Sequence, residues 1–314
     1  MPFKRIDYRE LDMFYCLNPD PHQMATATHD NLPASNPLKP GLPILVFIHA
    51  AGANVTSWTR QMGDPRLAQN FNLFAMDCRF HGFTTGGERK THTLENSAEC
   101  VLATLDEMNF PAYSLYGEGV HGCNVASWIA VKKPEKVQAL LLASPGYMQE
   151  PPHVIEMLKQ VQDELLINKP GCGGDDSGTF PPEANEALSA YFIGSSERVR
   201  SFRNAMKERF QQRYGTGQSM HDVRWLFMAV YDRKPIPKDL LAKLTCPVLI
   251  LRGGDDKIVS PEPACQEWQK AFVNCKGGAG EFVVHGAPSL ISLSDSNLVN
   301  RIILQSVTRA AAAK

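Results

Sequence analysis

The sequence predicts an α/β fold: a mostly parallel sheet with helices on both faces and a helical insertion near its middle. Three observations carry this reading. Short, continuous apolar runs such as Ile44–Ile48 (ILVFI) recur along the chain, as strands buried on both faces require. These runs alternate with amphipathic helical stretches, the rhythm of a parallel sheet. The rhythm stops over residues 144–244, which hold helical patterns and no convincing strand, and then resumes.

In order, Leu11–Leu17 predicts a first strand. Residues 18–43 are rich in Pro, Asn, Asp and Thr and lack periodicity, so they predict a long surface loop. Ile44–Ile48 and Asn72–Met76 predict buried strands. Over 94–108, Leu94, Ala98, Val101, Leu102, Leu105 and Met108 share one helical face. A strand at 113–116 runs into a glycine-rich turn, a helix over about 120–133, and a further strand at Val137–Ala143. In the insertion, helical patterns cover 153–168, 183–192, 196–214 and Ser219–Tyr231, with a flexible loop at 169–182. On the third pattern, Val199, Phe202, Met206 and Phe210 form an apolar stripe. Arg198, Arg203, Lys207, Arg209 and Arg213 lie mostly off it, which reads as an amphipathic helix with a solvated face. Strands at 247–251 and 281–284 and helices at 261–272 and 298–307 close the chain. The division is a core at 1–145 and 245–314, and a helical lid at 146–244. Such a lid sits where open parallel sheets bind ligands, outside the carboxyl ends of the strands.

Composition narrows the function. The 314 residues are 43% hydrophobic, ample for a buried core. A formal net charge of −1 argues for neither a nucleic-acid nor a membrane-surface partner. The first residues lack a signal-peptide pattern, and no apolar run is long enough to span a bilayer. Eight cysteines without a CxxC pair read as reduced thiols of a cytoplasmic protein. No cofactor motif and no metal-ligand spacing is expected. A homo-oligomer is compatible with the sequence.

The chemistry centres on residues 113–137, YSLYGEGVHGCNVASWIAVKKPEKV. A strand turning sharply into a helix is the context of a nucleophile elbow, where a G-x-S-x-G turn lifts a serine above the sheet. Here the turn reads Gly117-Glu118-Gly119-Val120-His121-Gly122, and the nucleophile position is Gly119, which has no side chain.

Four further landmarks stand in order around this turn. His49-Ala50-Ala51-Gly52 follows an apolar strand, and Asp77-Cys78-Arg79-Phe80-His81-Gly82 follows the next. Later come Arg252-Gly253-Gly254-Asp255-Asp256 and Val283-Val284-His285-Gly286-Ala287-Pro288-Ser289. The ordered set resembles the α/β-hydrolase superfamily from about Ile44 to the C-terminus. The resemblance implies an oxyanion loop at Ala50 and Ala51, a D-x-R-G-H-G loop at Asp77–Gly82, and a triad acid at Asp256. The family's final pattern, apolar-apolar-Pro-Gly-Ala-Gly-His, puts its terminal histidine on Ser289. The triad positions therefore read Gly119, Asp256 and Ser289 where Ser, Asp and His are expected.

Glycine cannot form an acyl-enzyme, and a serine hydroxyl cannot replace an imidazole base. Losing one member of such a unit costs on the order of 10⁶ in turnover, and losing the second costs little more. The elbow backbone suits glycine, which adopts φ > 0 without a Cβ penalty. The Val120 amide and a donor from the Ala50 region would remain as an oxyanion hole. Asp256 and His121 are the candidates to move a proton. The resemblance implies a small residue at position 121, so an imidazole there is unusual. Glu118 and His49 are expected to support the elbow and the oxyanion loop, and His81 and Asp77 to fix their own loop. Cys78 and Cys123 lack an evident activating partner. His285 serves as a base only if its loop is rearranged.

Three functions follow. The first is a non-hydrolytic enzyme of lyase, cyclase or isomerase type, acting on a mostly apolar carbonyl-bearing molecule under the lid. The second is a small-molecule binding protein or receptor without turnover. The third is an esterase with a displaced nucleophile.

Overall fold

The computed structural model describes residues 3–6, 10–87, 92–162, 182–193, 197–214 and 219–312. Nine strands form one sheet: β1 (Phe3–Ile6), β2 (Leu11–Leu17), β3 (Ile44–Ile48), β4 (Asn72–Met76), β5 (Thr85–Gly86), β6 (Tyr113–Glu118), β7 (Val137–Ala143), β8 (Val248–Gly253) and β9 (Ala279–Val284). Their order is β1-β2-β4-β3-β6-β7-β8-β9, with β5 paired to β2. From β4 through β9 every neighbouring pair is parallel, whereas β2 runs antiparallel to β1, β4 and β5. Strand order reverses around β3, so the β3 and β6 ends form the crevice in which open sheets bind ligands.

The period of two sorts each strand onto two cores. Val46, Ile48, Leu115, Leu140 and Ile250 face one side, under the helices Leu94–Glu107, Gly119–Lys132 and Glu262–Ala271. Leu45, Phe47, Tyr116, Leu141 and Leu251 face the other, with Trp58 and the closing helix Ser296–Ala312. Both faces are covered, so β3, β4 and β6 are buried along their whole length. Each large apolar side chain buried this way contributes about 1.5–3 kcal/mol.

Among the described residues, five helices lie between β7 and β8: Pro152–Gln162, Pro182–Ile193, Arg200–Tyr214, Ser219–Tyr231 and the short Lys238–Leu241. Val199, Met206 and Phe210 of the apolar stripe are buried. The off-stripe cations find acids within the insertion: Lys207 Nζ lies 2.5 Å from Glu186, and Arg213 lies 2.9 Å from Asp222. Tyr214 donates its hydroxyl to the Phe80 carbonyl at 2.6 Å, joining the insertion to the loop after β4. Buried Arg233 donates to the Tyr147 and Met148 carbonyls and to Glu150, at 2.5, 3.2 and 2.9 Å.

The structure extends the sequence reading mainly at edges. Strands β1 and β5 were not expected: each is too short to show a pattern and exists by pairing with β2. The region read as a long loop contains a short helix, Pro21–Ala25, started by Asp20, whose carboxylate accepts the His22 amide, and by proline at its first turn. The helix expected over 153–168 ends its described span at Gln162, and most of the loop at 169–182 lies outside the described residues. The expected helix at 196–214 begins with a 3₁₀ turn at Glu197–Val199. No helix among the described residues is long and apolar enough to cross a membrane.

Candidate functional site

Strand β6 ends at Glu118, and the helix Gly119–Lys132 begins on the next residue. This turn is abrupt because the backbone passes through φ +68° at Gly119, a conformation that favours glycine. Packing beneath it is equally close. A Cβ on Gly122 would stand 2.3 Å from the Ile48 carbonyl oxygen, which seats the helix directly on the end of β3.

The nucleophile position faces Ala50. A Cβ built on Gly119 would meet the Ala50 methyl at 2.9 Å and a Leu290 methyl at 3.8 Å. The space a serine side chain would enter is thus narrowed by a neighbour's methyl. Leu290 follows Ser289 and itself holds a left-handed backbone, φ +54°. The acid and base loops also touch: the Asp255 amide donates to the Ala287 carbonyl at 2.9 Å, and the Gly254 amide to Val284 at 2.8 Å. The loops carrying Gly119, Asp256 and Ser289 therefore converge at the carboxyl ends of the strands.

Above the elbow lies a small cavity of about 40 Å³. Ala50, Gly119, Val120 and Leu290 form its floor, while Met206, Phe210, Leu226 and Phe227 of the insertion wall it. The polar side chains on its wall are Asn185, Ser189 and Lys207. Glu118, at the N-cap, makes no side-chain cap to the helix. Sequence reasoning missed the insertion's wall residues, although Met206 and Phe210 already stood out as an apolar stripe.

Asp256 is not among the residues lining the cavity. Its Oδ1 accepts the amides of Ile258 and Val259 at 3.2 and 2.9 Å, and its Oδ2 accepts Ser260 at 3.1 Å. Burial raises its pKa above the usual carboxylate range, with those bonds opposing the shift. Ser289 is buried beside Leu290. Glu118 is buried under the elbow, where its Oε1 accepts the Ser292 amide at 2.9 Å; burial pushes its pKa up to about 7. Asp77 accepts Val55 and Phe83 amides, each at 2.7 Å, and burial likewise raises it to about 7. Cys123 donates to the carbonyls of Gly117 and Ala143 at 3.2 and 3.3 Å, and burial pushes the thiols of Cys78 and Cys123 well up. His285 is exposed at the end of β9.

The imidazole of His121 points away from the cavity wall and joins His49 and His81. One ring nitrogen from each lies within 4.8 Å of the others, and all three residues are buried. They come from the ends of β3 and β4 and from the first turn after β6, so no local spacing announces the group. Burial is the main force lowering the His49 and His121 pKa values, to about 3 and about 4.

A family model of the alpha/beta hydrolase fold matches residues 43–288. Among solved structures, a hydrolase from Pseudomonas aeruginosa is 18% identical over 97% of each chain, with a TM-score of 0.72. A thermophilic esterase from Thermogutta terrifontis is 17% identical over 99% of each chain, with a TM-score of 0.71. An enol-lactonase from Burkholderia xenovorans is 13% identical over 98% of this chain and 100% of its own, with a TM-score of 0.72. Identities this low establish shared fold alone. No curated protein matches the chain in sequence. The family model spans well over half of the chain and agrees with the sheet order and the elbow, and the protein therefore belongs to the α/β-hydrolase family.

Proposed function

We propose that this protein is a small-molecule binder of the α/β-hydrolase family, without serine-hydrolase turnover. Its ligand would be mostly apolar and bear a carbonyl, held beneath the insertion helices acting as a lid. The observation that carries this reading is the cavity floor, where Gly119 stands at the elbow with the Ala50 methyl packed against it. A wall of Val120, Met206, Phe210, Leu226, Phe227 and Leu290 suits an apolar body. The amides at the start of the elbow helix suit one carbonyl oxygen. Of the lining side chains only Lys207 is ionisable, and Glu186 pairs with it.

A second reading is a non-hydrolytic enzyme of lyase, cyclase or isomerase type. Burial raises the pKa of Asp256, the direction that suits a carboxyl to proton transfer, and this favours it. Against it stand the three loop amides that already occupy both carboxylate oxygens. An esterase with Cys78 or Cys123 as nucleophile has less support, because burial keeps both thiols protonated.

The test is native mass spectrometry of the purified chain incubated with a panel of aliphatic ketones, lactones and short esters. Binding predicts a one-to-one complex that releases its ligand unchanged, with no labelling by a fluorophosphonate. Conversion of any panel member that Asp256→Asn abolishes would establish the enzyme reading instead.

A further inference from the structure

The three buried histidines carry an inference beyond the cavity. Their hydrogen bonds fix their protons. His81 Nδ1 lies 2.8 Å from the Arg79 carbonyl and His121 Nδ1 lies 3.2 Å from the His49 carbonyl. A carbonyl oxygen can only accept, so each Nδ1 carries the hydrogen. Each Nε2 is then a lone pair, and both Nε2 atoms are buried without a hydrogen-bond partner. His49 differs. Its Nε2 accepts the Cys78 amide at 3.0 Å while its Nδ1 donates to the Ala50 carbonyl at 2.9 Å.

Two unpartnered acceptors cannot satisfy each other. Flipping either tautomer would leave a carbonyl without its donor. What such lone pairs accept is a hydrogen-bond donor or a metal cation. Histidines that bind metals show this same arrangement, one ring nitrogen on the metal and the other N–H donated to a backbone carbonyl. The rings are close enough to share an ion: centroids of His81 and His121 are 4.6 Å apart, and those of His49 and His81 are 4.7 Å apart. Nitrogens bound to one ion at about 2.0–2.1 Å stand roughly 3.5 Å from each other. Small ring rotations therefore convert the observed group into a coordinating one.

We propose that His81 and His121, with His49 as third ligand, form an internal site for a d10 transition-metal ion, zinc(II) or copper(I). Neutral imidazole suits both ions. The third bond requires His49 to exchange the Cys78 amide for the metal. Copper(I) needs only the two free nitrogens and adds a single positive charge to the buried site. The site lies one residue from the cavity floor at two points, Ala50 just after His49 and Val120 just before His121. A bound ion would therefore brace the oxyanion loop against the elbow helix.

The full chain is unfolded in denaturant and refolded with one equivalent of zinc(II), or of copper(I) under anaerobic reducing conditions, so that burial does not bar entry. After desalting, metal content is measured by plasma mass spectrometry and the ligand shell by X-ray absorption. The expected result is about one ion per chain in an all-nitrogen shell at about 2.0 Å. His81→Ala and His121→Ala should each weaken retention roughly tenfold or more, and exposed His285→Ala should not. Circular dichroism confirms that the variants fold. The wild-type absorption spectrum stands as a second readout if they do not. A wild-type chain that retains neither ion, or holds it on sulfur, overturns the proposal. So does undiminished retention by the folded double variant His81→Ala/His121→Ala.

Discussion

The contact between Gly119 and Ala50 makes a quantitative expectation. Placing a side chain at the elbow by Gly119→Ser brings two carbons to 2.9 Å, where about 3.5–4.0 Å is comfortable. Overpacking of this kind costs about 1–3 kcal/mol. The left-handed backbone at φ +68° adds about 1–2 kcal/mol for any residue with a Cβ. Gly119→Ser alone should therefore destabilise the fold by about 2–5 kcal/mol. Ala50→Gly alone removes a buried methyl and should cost about 1 kcal/mol. Combined, the two changes should destabilise less than their sum, because the missing methyl makes room for the new Cβ. Urea unfolding of the four proteins gives the coupling by a double-mutant cycle. A coupling of about 1–3 kcal/mol is expected. A value below about 0.5 kcal/mol would mean that the two sites do not sense each other, and the packing argument would fail.

Other consequences are checked more simply. Glu118 has its pKa raised to about 7 by burial, so its neutral form is favoured in the fold. Its stabilising contribution is whole below the unfolded value and is lost as pH rises through about 7. Glu118→Gln, which keeps an acceptor for the Ser292 amide, should match wild type near pH 5 and gain about 2–3 kcal/mol on it by pH 7.5. Urea midpoints that run parallel across that range would contradict this. Arg233→Met strands the buried Glu150 carboxylate and the carbonyls of Tyr147, Met148 and Val230, and should cost about 3–5 kcal/mol by urea unfolding. A loss under about 1 kcal/mol would mean the network is incidental. Met206→Trp fills part of the cavity above the elbow and should weaken ligand binding by about tenfold or more, seen by native mass spectrometry, with little change in Tm.

The parallel core was legible because strands buried on both faces must be continuously apolar, as in Ile44–Ile48 and Val137–Ala143. Strands β1 and β5 were not, since pairing with β2 rather than composition creates them. The elbow at Gly119 was readable from its strand–turn–helix context. The Ala50 methyl facing it was not, because residues so far apart reveal their contact only in three dimensions. The histidine group fails the same way: positions 49, 81 and 121 carry no ligand spacing, and parallel strands alone bring them together. The cavity wall comes from the insertion, whose periodicity marks which residues are buried and not what they surround.

Tyr214 ties the far end of the Arg200–Tyr214 helix to Phe80, a bulky residue held at φ +65°. That helix also supplies Met206, Lys207 and Phe210 to the cavity. If it swings outward to admit a guest, the ion pairs of Lys207 with Glu186 and of Arg213 with Asp222 can travel with it, since both partners ride on the insertion. The bond to Phe80 cannot, so such a motion must break it. Releasing it costs about 1 kcal/mol, which makes the residence time of a guest about fivefold longer than in a Tyr214→Phe chain. Equal off-rates in the two proteins would show that the guest leaves by another route.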